Sequence, residues 1–260
     1  MISPLRRSRA RLPPPNRLAT EDRAYFLDID GTLLEMAASP GLVRVDRDVR
    51  DAIEQLLQSA GGAVALISGR TIADIDHLFP SHRVAVAGQH GAERRDASGV
   101  RTTPRAPSRL WEEVRTQLRA VAARHPGLTV EDKGMSLALH YRRATSLASF
   151  AHQFMKLLQL ELGPDFMTQR GKRVIELKPA GTDKGAAIVA FMSEAPFAGR
   201  VPVFLGDDAT DEYGFDVVNG LAGVSVKVGA GATIARWRLE DVSAVREWLE
   251  REIQVTESAR

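Results

Sequence analysis

A chain of 260 residues is long enough for one large domain or two modest ones around a substantial core. Apolar residues make up 44% and charged residues 26%, the balance of an ordinary globular protein, and the absence of cysteine excludes disulfides, thiolate zinc sites and a cysteine nucleophile. The net charge of +2 is uneven, because residues 1–20 hold five arginines and no acid while the remainder sits at −3, which argues against a nucleic-acid-binding body.

Residues 1–20 contain Pro13-Pro14-Pro15 and no apolar periodicity, so a disordered basic arm is expected there. No apolar run approaches the roughly 20 residues needed to cross a bilayer, and the first residues lack the apolar core of a secretory signal. The expectation is a cytoplasmic protein that does not touch the membrane.

Tyr25, Phe26 and Leu27 form an apolar run of the kind that makes a buried strand, and it stops at Asp28, Asp30, Gly31 and Thr32. Val49, Ile53, Leu56 and Leu57 recur at helical spacing, with Asp48 as the expected N-cap and Gly61-Gly62 as the stop. A second strand over Ala63–Ile67 runs into Ser68-Gly69-Arg70. A helix over Thr71–Phe79 and a third strand over Val84–Ala87 follow, the strand ending in G-Q-H-G-A-E. Alternation of this kind predicts a parallel sheet with right-handed crossovers. The polar stretch Arg94–Thr103, with Asp96 and Gly99, suggests a hairpin.

Pro104 and Pro107 bracket a linker, and the pattern then changes. Helices over Ser108–Arg124 and Thr145–Leu162 alternate with strand pairs at Leu128–Asp132 with Met135–Tyr141 and at Phe166–Gln169 with Arg173–Leu177. That order points to antiparallel pairing in a small α+β insertion. The parallel style returns with a helix capped by Thr182 and carrying Lys184. A strand over Val201–Leu205 then enters G-D-D-A-T-D-E, followed by a helix over Glu212–Asn219, a strand over Val224–Val228 and a closing helix over Asp241–Ile253. The expected fold class is α/β: a doubly wound parallel-sheet core, residues 21–106 and 176–260, with an inserted α+β cap, residues 107–175.

In an open α/β sheet, ligands bind outside the carboxyl ends of the strands. Asp28, Asp30, Ser68, Gly69 and Asp207 all fall there, with Lys184 at a helix start. Paired carboxylates repel unless a cation neutralises them, and Asp28, the Asp30 carbonyl and Asp207 are hard oxygen ligands suited to Mg2+. Asp28 could then attack a phosphoryl group while Asp30 moves the proton of the leaving group. Ser68, the Gly69 amide and Lys184 could hold phosphate oxygens. Each motif alone also reads as an ordinary turn, cap or solvated charge; what carries the argument is that four of them coincide in sheet order.

These residues carry a resemblance. D-x-D-G-T-L, S-G-R, the Lys184 helix and G-D-D-x-T-D-E resemble the four motifs of the haloacid dehalogenase-like hydrolase superfamily. The stretches G-Q-H-G-A-E, E-D-K-G-M-S-L-A-L-H-Y-R, V-I-E-L-K-P-A-G-T-D-K-G and G-D-D-A-T-D-E resemble, more narrowly, the trehalose-6-phosphate phosphatase family, over about Asp22–Leu249. The resemblance implies an Mg2+-dependent hydrolase of trehalose 6-phosphate working through an aspartyl-phosphate. In it Asp28 is the nucleophile, Asp30 the acid/base, and Asp28, Asp30 and Asp207 bind the metal with Asp208 and Asp211 behind them. It also implies phosphate binding by Ser68, Arg70 and Lys184, and sugar recognition by His90 and Glu93 on the core and Glu131, Lys133 and Glu176 on the cap. Glu131 and Lys133 could instead form an exposed ion pair, and His140 reads as a packed histidine rather than a catalyst. The alternatives are a phosphatase for another sugar phosphate, such as sucrose phosphate or a mannosyl phosphoglycerate, or a non-catalytic sugar-phosphate sensor. The expected partner is a small-molecule sugar phosphate, with no nucleic acid, and the expected state is a monomer.

Overall fold

The computed structural model describes residues 22–36, 44–80, 84–102, 109–171 and 173–258. The arm expected over residues 1–20 and the proline-bracketed linker lie outside them. By contacts the chain divides into two compact units, Met1–Thr102 with Asp183–Arg260, and Thr103–Thr182.

The first unit begins with β1 (Arg23–Leu27), α1 (Arg47–Ser59), β2 (Val64–Ile67), α2 (Ile72–Leu78), β3 (Ala85–Gly88), β4 (Glu93–Arg95) and β5 (Arg101–Thr102). The second unit carries α3 (Arg109–Arg124), β6 (Thr129–Asp132), β7 (Leu137–His140), α4 (Ala148–Leu162), β8 (Phe166–Gly171) and β9 (Val174–Pro179). The chain then returns with α5 (Lys184–Met192), β10 (Val201–Gly206), α6 (Glu212–Gly220), β11 (Val224–Val228), β12 (Trp237–Leu239) and α7 (Val242–Ser258).

The sheet of the first unit has eight strands in the order β12-β11-β10-β1-β2-β3-β4-β5. It is parallel from β12 to β3, and antiparallel through β4 and β5, where the hairpin was expected. β1 lies at its centre and all five of its residues are buried. Alternate side chains serve two cores, as a sheet covered on both faces requires. Tyr25 and Leu27 pack with α1, α2 and α7, whereas Phe26 and Phe204 pack with α5 and α6. This is the doubly wound architecture expected from the alternation.

The second unit is a four-stranded antiparallel sheet, β6-β7-β9-β8, with α3 and α4 against one face. Trp111, Val114 and Leu118 of α3 and Ala151, Met155 and Leu158 of α4 meet Leu137, Leu139, Ile175 and Leu177 there. The boundary expected at residues 175 and 176 is corrected. It would cut β9, whose residues pair with β7 on one side and β8 on the other, so Glu176 belongs to the insertion.

Two helix starts also differ from expectation. Asp46, not Asp48, holds the N-cap position of α1, and Asp48 lies in the first turn, where a carboxylate suits the helix dipole. At α5 the cap is Asp183 rather than Thr182, its carboxylate accepting from the Ala186 amide at 2.8 Å. Thr182 instead donates to the Pro179 carbonyl at 2.7 Å, inside the turn before the helix. β12 was not anticipated, since Trp237–Leu239 is too short to read as a strand.

A buried polar clamp ties β1 to α7. Arg23 Nη1 and the Tyr25 hydroxyl donate to Glu252 Oε2 at 2.6 and 2.8 Å. Burial first, and then the adjacent carboxylate, raise the Tyr25 phenol above its ordinary pKa. Removing one member of such a pair strands the other charge in the core. Glu252→Ala is therefore expected to lose about 3–5 kcal/mol in urea unfolding, and Arg23→Met with Glu252→Leu to recover most of it.

Candidate active site

Polar groups gather at the carboxyl ends of the central parallel strands. β1 delivers Asp28, β2 delivers Ser68, β10 delivers Asp207, and the first turn of α5 supplies Lys184. Lys184 is 2% exposed, and its Nζ donates to Asp28 Oδ1 and Asp211 Oδ1, both at 2.7 Å. Thr32 Oγ1 stands 3.4 Å from Asp28 Oδ2, beyond a good hydrogen bond.

Gly31 adopts φ +83°, and a Cβ there would come within 2.3 Å of Asp207 Oδ2. Only glycine serves at this point, for its conformation and for the room it leaves the carboxylate. Asp28, Asp207 and Asp211 each offer an oxygen within 4.8 Å of the others. Asp211, expected behind the ligands, brings an oxygen close to those of Asp28 and Asp207, and its Oδ1 accepts from Lys184. Asp208 lies on the loop, where its Oδ1 accepts from Thr210 N and Oγ1 at 2.7 and 2.6 Å and its own amide donates to Asp211 Oδ2 at 2.9 Å.

The electrostatics follow from one ammonium facing several acids. Burial pushes Asp28 up to about 7, against the pull of Lys184 and with the push of Asp208 and Asp207. Burial likewise lifts Asp207 to about 6, reinforced by Asp208 and Asp211, and lifts Asp211 well above the carboxylate range. Asp208 loses some solvation to its loop, but Lys184 and the bonds from Thr210 outweigh that and hold it down to about 2. Burial opposes the charge on Lys184, yet Asp211 and Asp28 more than reverse it and raise its pKa. The cluster thus holds more negative charge than its ammonium balances. A hard divalent cation fits that donor set.

Around this centre lie two further groups. Arg70 Nε and Nη2 donate to Asp30 Oδ2 and Oδ1, both at 2.6 Å, a bidentate pair. Arg70, expected on phosphate, is thus also engaged with the expected acid/base. Ser68 Oγ accepts from the Arg70 amide at 3.2 Å. The turn after β3 is strapped to this loop, with the His90 amide donating to the Ser68 carbonyl at 2.9 Å and the Gln89 amide to that of Arg70 at 2.7 Å. Gln89, His90 and Gly91 all have positive φ, a strained run of the kind that gathers at functional sites. A Cβ on Gly69 would lie 2.6 Å from His90 Nε2, which places the imidazole directly over that residue. Glu93 Oε1 accepts from Ile72 N at 2.8 Å and Gln89 Nε2 at 3.1 Å, so it braces the start of α2 against this turn.

In the second unit, strand alternation puts Glu131, His140 and Glu176 on the sheet face opposite the helices. Glu131 Oε2 lies 2.8 Å from His140 Nε2, and Glu176 Oε1 accepts from Ser136 Oγ at 2.6 Å with Lys133 Nζ at 3.5 Å. Glu131 therefore faces His140, and Lys133 faces Glu176.

Sequence reasoning passed over Lys227 on β11. Its ammonium, on a residue 5% exposed, donates to the carbonyls of Asp207 and Val228. The signal was present: in V-S-V-K-V, Ser225 and Lys227 are polar residues at inward positions of a buried strand.

Residues 26–243 match the trehalose-phosphatase family. The chain is 48% identical over 229 residues to the trehalose-6-phosphate phosphatase of Escherichia coli strain K12, covering 87% of this chain and 85% of that protein. Among solved structures, the C-terminal domain of C. albicans trehalose-6-phosphate phosphatase superposes with a TM-score of 0.78 at 22% identity, covering 90% of this chain and 93% of that one. A haloacid dehalogenase-like hydrolase from Bacteroides thetaiotaomicron shares the fold, with a TM-score of 0.65 at 15% identity over 88% of this chain and 98% of that one.

The raised carboxyls fix a pH dependence of stability. Asp28 and Asp207 bind protons more tightly folded than unfolded, so the stability they contribute is present below the unfolded carboxylate range and is lost as pH rises through about 6 to 7. In EDTA the melting temperature should fall between pH 5 and 8, and fall less in Asp28→Asn. Added Mg2+ should flatten the wild-type slope.

Proposed function

The chain belongs to the trehalose-phosphatase family, and we propose that it hydrolyses trehalose 6-phosphate to trehalose and inorganic phosphate, with Mg2+ and through an aspartyl-phosphate. It is a phosphoric monoester hydrolase. The observation that carries the mechanistic reading is the buried Asp28, held by Lys184 through one oxygen and leaving the other to attack.

Asp28 Oδ2 forms a bond to phosphorus as the bond from phosphorus to the sugar oxygen breaks. Asp30 donates a proton to the departing sugar oxygen. It then takes one from the water that attacks the aspartyl-phosphate, which releases phosphate and restores Asp28. Arg70 holds the Asp30 carboxylate in the structure. An arriving phosphate competes for that guanidinium and frees Asp30 to carry its proton. Ser68, the Gly69 amide and Lys184 complete the anion site.

Asp28, Asp207 and the Asp30 carbonyl would hold Mg2+, with Asp211 beside them and Asp208 shaping the loop. When bound, the ion neutralises charge on the phosphoryl oxygens. His90, Glu131, Lys133 and Glu176 are the proposed contacts for sugar hydroxyls, since a buried polar group left unpaired discriminates strongly between substrates. Glu93, whose Oε1 serves Ile72 and Gln89, contributes by holding the His90 turn in place.

Phosphate release from trehalose 6-phosphate, sucrose 6-phosphate, glucose 6-phosphate and p-nitrophenyl phosphate, with Mg2+ and with EDTA, tests the reading. Release that requires Mg2+ and strongly favours trehalose 6-phosphate is expected. Metal-dependent release from p-nitrophenyl phosphate alone would keep the reaction and remove the substrate; no release from any would leave a sensor. Asp28→Asn should fold and lose on the order of 10^3-fold or more in kcat. Glu176→Ala should raise KM for trehalose 6-phosphate well above its effect on p-nitrophenyl phosphate.

A further inference from the structure

We propose that Lys227 is a positioning residue for the metal-binding carboxylates: its ammonium clamps the main chain at Asp207 and thereby sets the affinity for Mg2+. The inference rests on the Mg2+ dependence proposed above.

β11 runs parallel to β10 with Lys227 opposite Gly206, the last residue before Asp207. Val226 and Val228 face the core shared with α1 and α7, so Ser225 and Lys227 face the opposite side. Ser225 has a structural task there, donating to Asn219 Oδ1 at 2.6 Å and accepting from the Arg236 amide at 2.9 Å. Lys227 reaches instead toward the site.

Burial weighs against its charge and lowers its pKa, with Asp207 acting in the opposite sense. A buried ammonium costs several kcal/mol unless its donors are satisfied. Here main-chain carbonyls take two of its three donors: that of Asp207, and that of Val228 at 2.6 Å. One of the two is the backbone of the residue whose carboxylate sits against Gly31 and within reach of Asp28. The loop that follows is fixed at its far end by the bonds among Asp208, Thr210 and Asp211. Lys227 fixes the near end. The next turn is braced in the same manner, by Arg238 donating to the carbonyls of Gly229 and Gly231.

A brace and a bare charge predict opposite signs. If Lys227 served only as a positive charge, removing it would leave the carboxylates more negative and tighten Mg2+. If it holds Asp207 in place, removing it weakens Mg2+ binding.

The experiment uses the full chain and the variants Lys227→Met, Lys227→Gln and Ser225→Ala. Mg2+ is titrated into metal-free protein by calorimetry, and separately against the rate on p-nitrophenyl phosphate. Lys227→Met is expected to raise the Mg2+ dissociation constant about 10-fold or more in both titrations, the range seen when a partner behind a metal ligand is lost. KM for p-nitrophenyl phosphate at saturating Mg2+ should stay within about two-fold, because phosphate contacts are untouched. Lys227→Gln, which keeps a donor one bond shorter and drops the charge, should lie in between. Ser225→Ala should lower the melting temperature without moving the Mg2+ constant. An unchanged or tighter Mg2+ constant in Lys227→Met overturns the proposal. Should that variant fail to fold, the same criterion applied to Lys227→Gln decides. A wild-type protein that binds no Mg2+ and works in EDTA would instead overturn the parent reading.

Discussion

One ammonium shared between two buried carboxylates governs this molecule. Lys184 meets Asp28 and Asp211 at equal distance in a place closed to water, and Asp207 and Asp208 add to the negative side. A group so arranged is stable only if its charge count is nearly balanced, because an unbalanced buried ion costs several kcal/mol. The site is left slightly short of positive charge. That shortage gives a hard cation a reason to bind.

The remaining architecture serves that count. Central strands buried on both faces leave the chain no freedom where the acids emerge, so Asp28 and Asp207 are held by the register of β1 against β10, in which Leu27 pairs with Leu205. Gly31 leaves open the space that the Asp207 carboxylate fills. Asp183 caps α5 and so fixes the turn from which Lys184 projects. The strap of Gln89 and His90 across Ser68 and Arg70 does the same for the neighbouring loop, at the expense of backbone strain.

Much of this was legible in the amino-acid order, for physical reasons. The Asp28 strand could be read because a fully buried strand must be a continuous apolar run, and an acid at its end is conspicuous. The doubly wound core could be read because a parallel sheet forces strand and helix to alternate. The expected boundary between residues 175 and 176 runs through a strand that the sequence itself suggests over Arg173–Leu177; the pairing of β9 with β7 and β8 keeps that strand whole. The pairing of Arg70 with Asp30 joins the loops after two different strands and leaves no local trace. Glu93, read as a sugar ligand from its motif, has its Oε1 on the start of α2, a use that depends on how the turn folds back. Lys227 was visible in the alternation of β11, but a single lysine acquires meaning only once β11 is placed beside β10.

The strand order has a further consequence, for the chain while it is being made. β1 is synthesised first among the strands and lies between β2 and β10, and Arg23 finds its partner Val201 only after the whole insertion has been built. At ribosomal speeds of about 5–20 residues per second, one apolar edge of the central strand stays unpaired for on the order of ten seconds. Such an edge invites pairing with other chains. A nascent chain therefore passes through a window in which a strand destined for the core presents an unpaired edge. Through that window its acids stand in water, not yet gathered around Lys184.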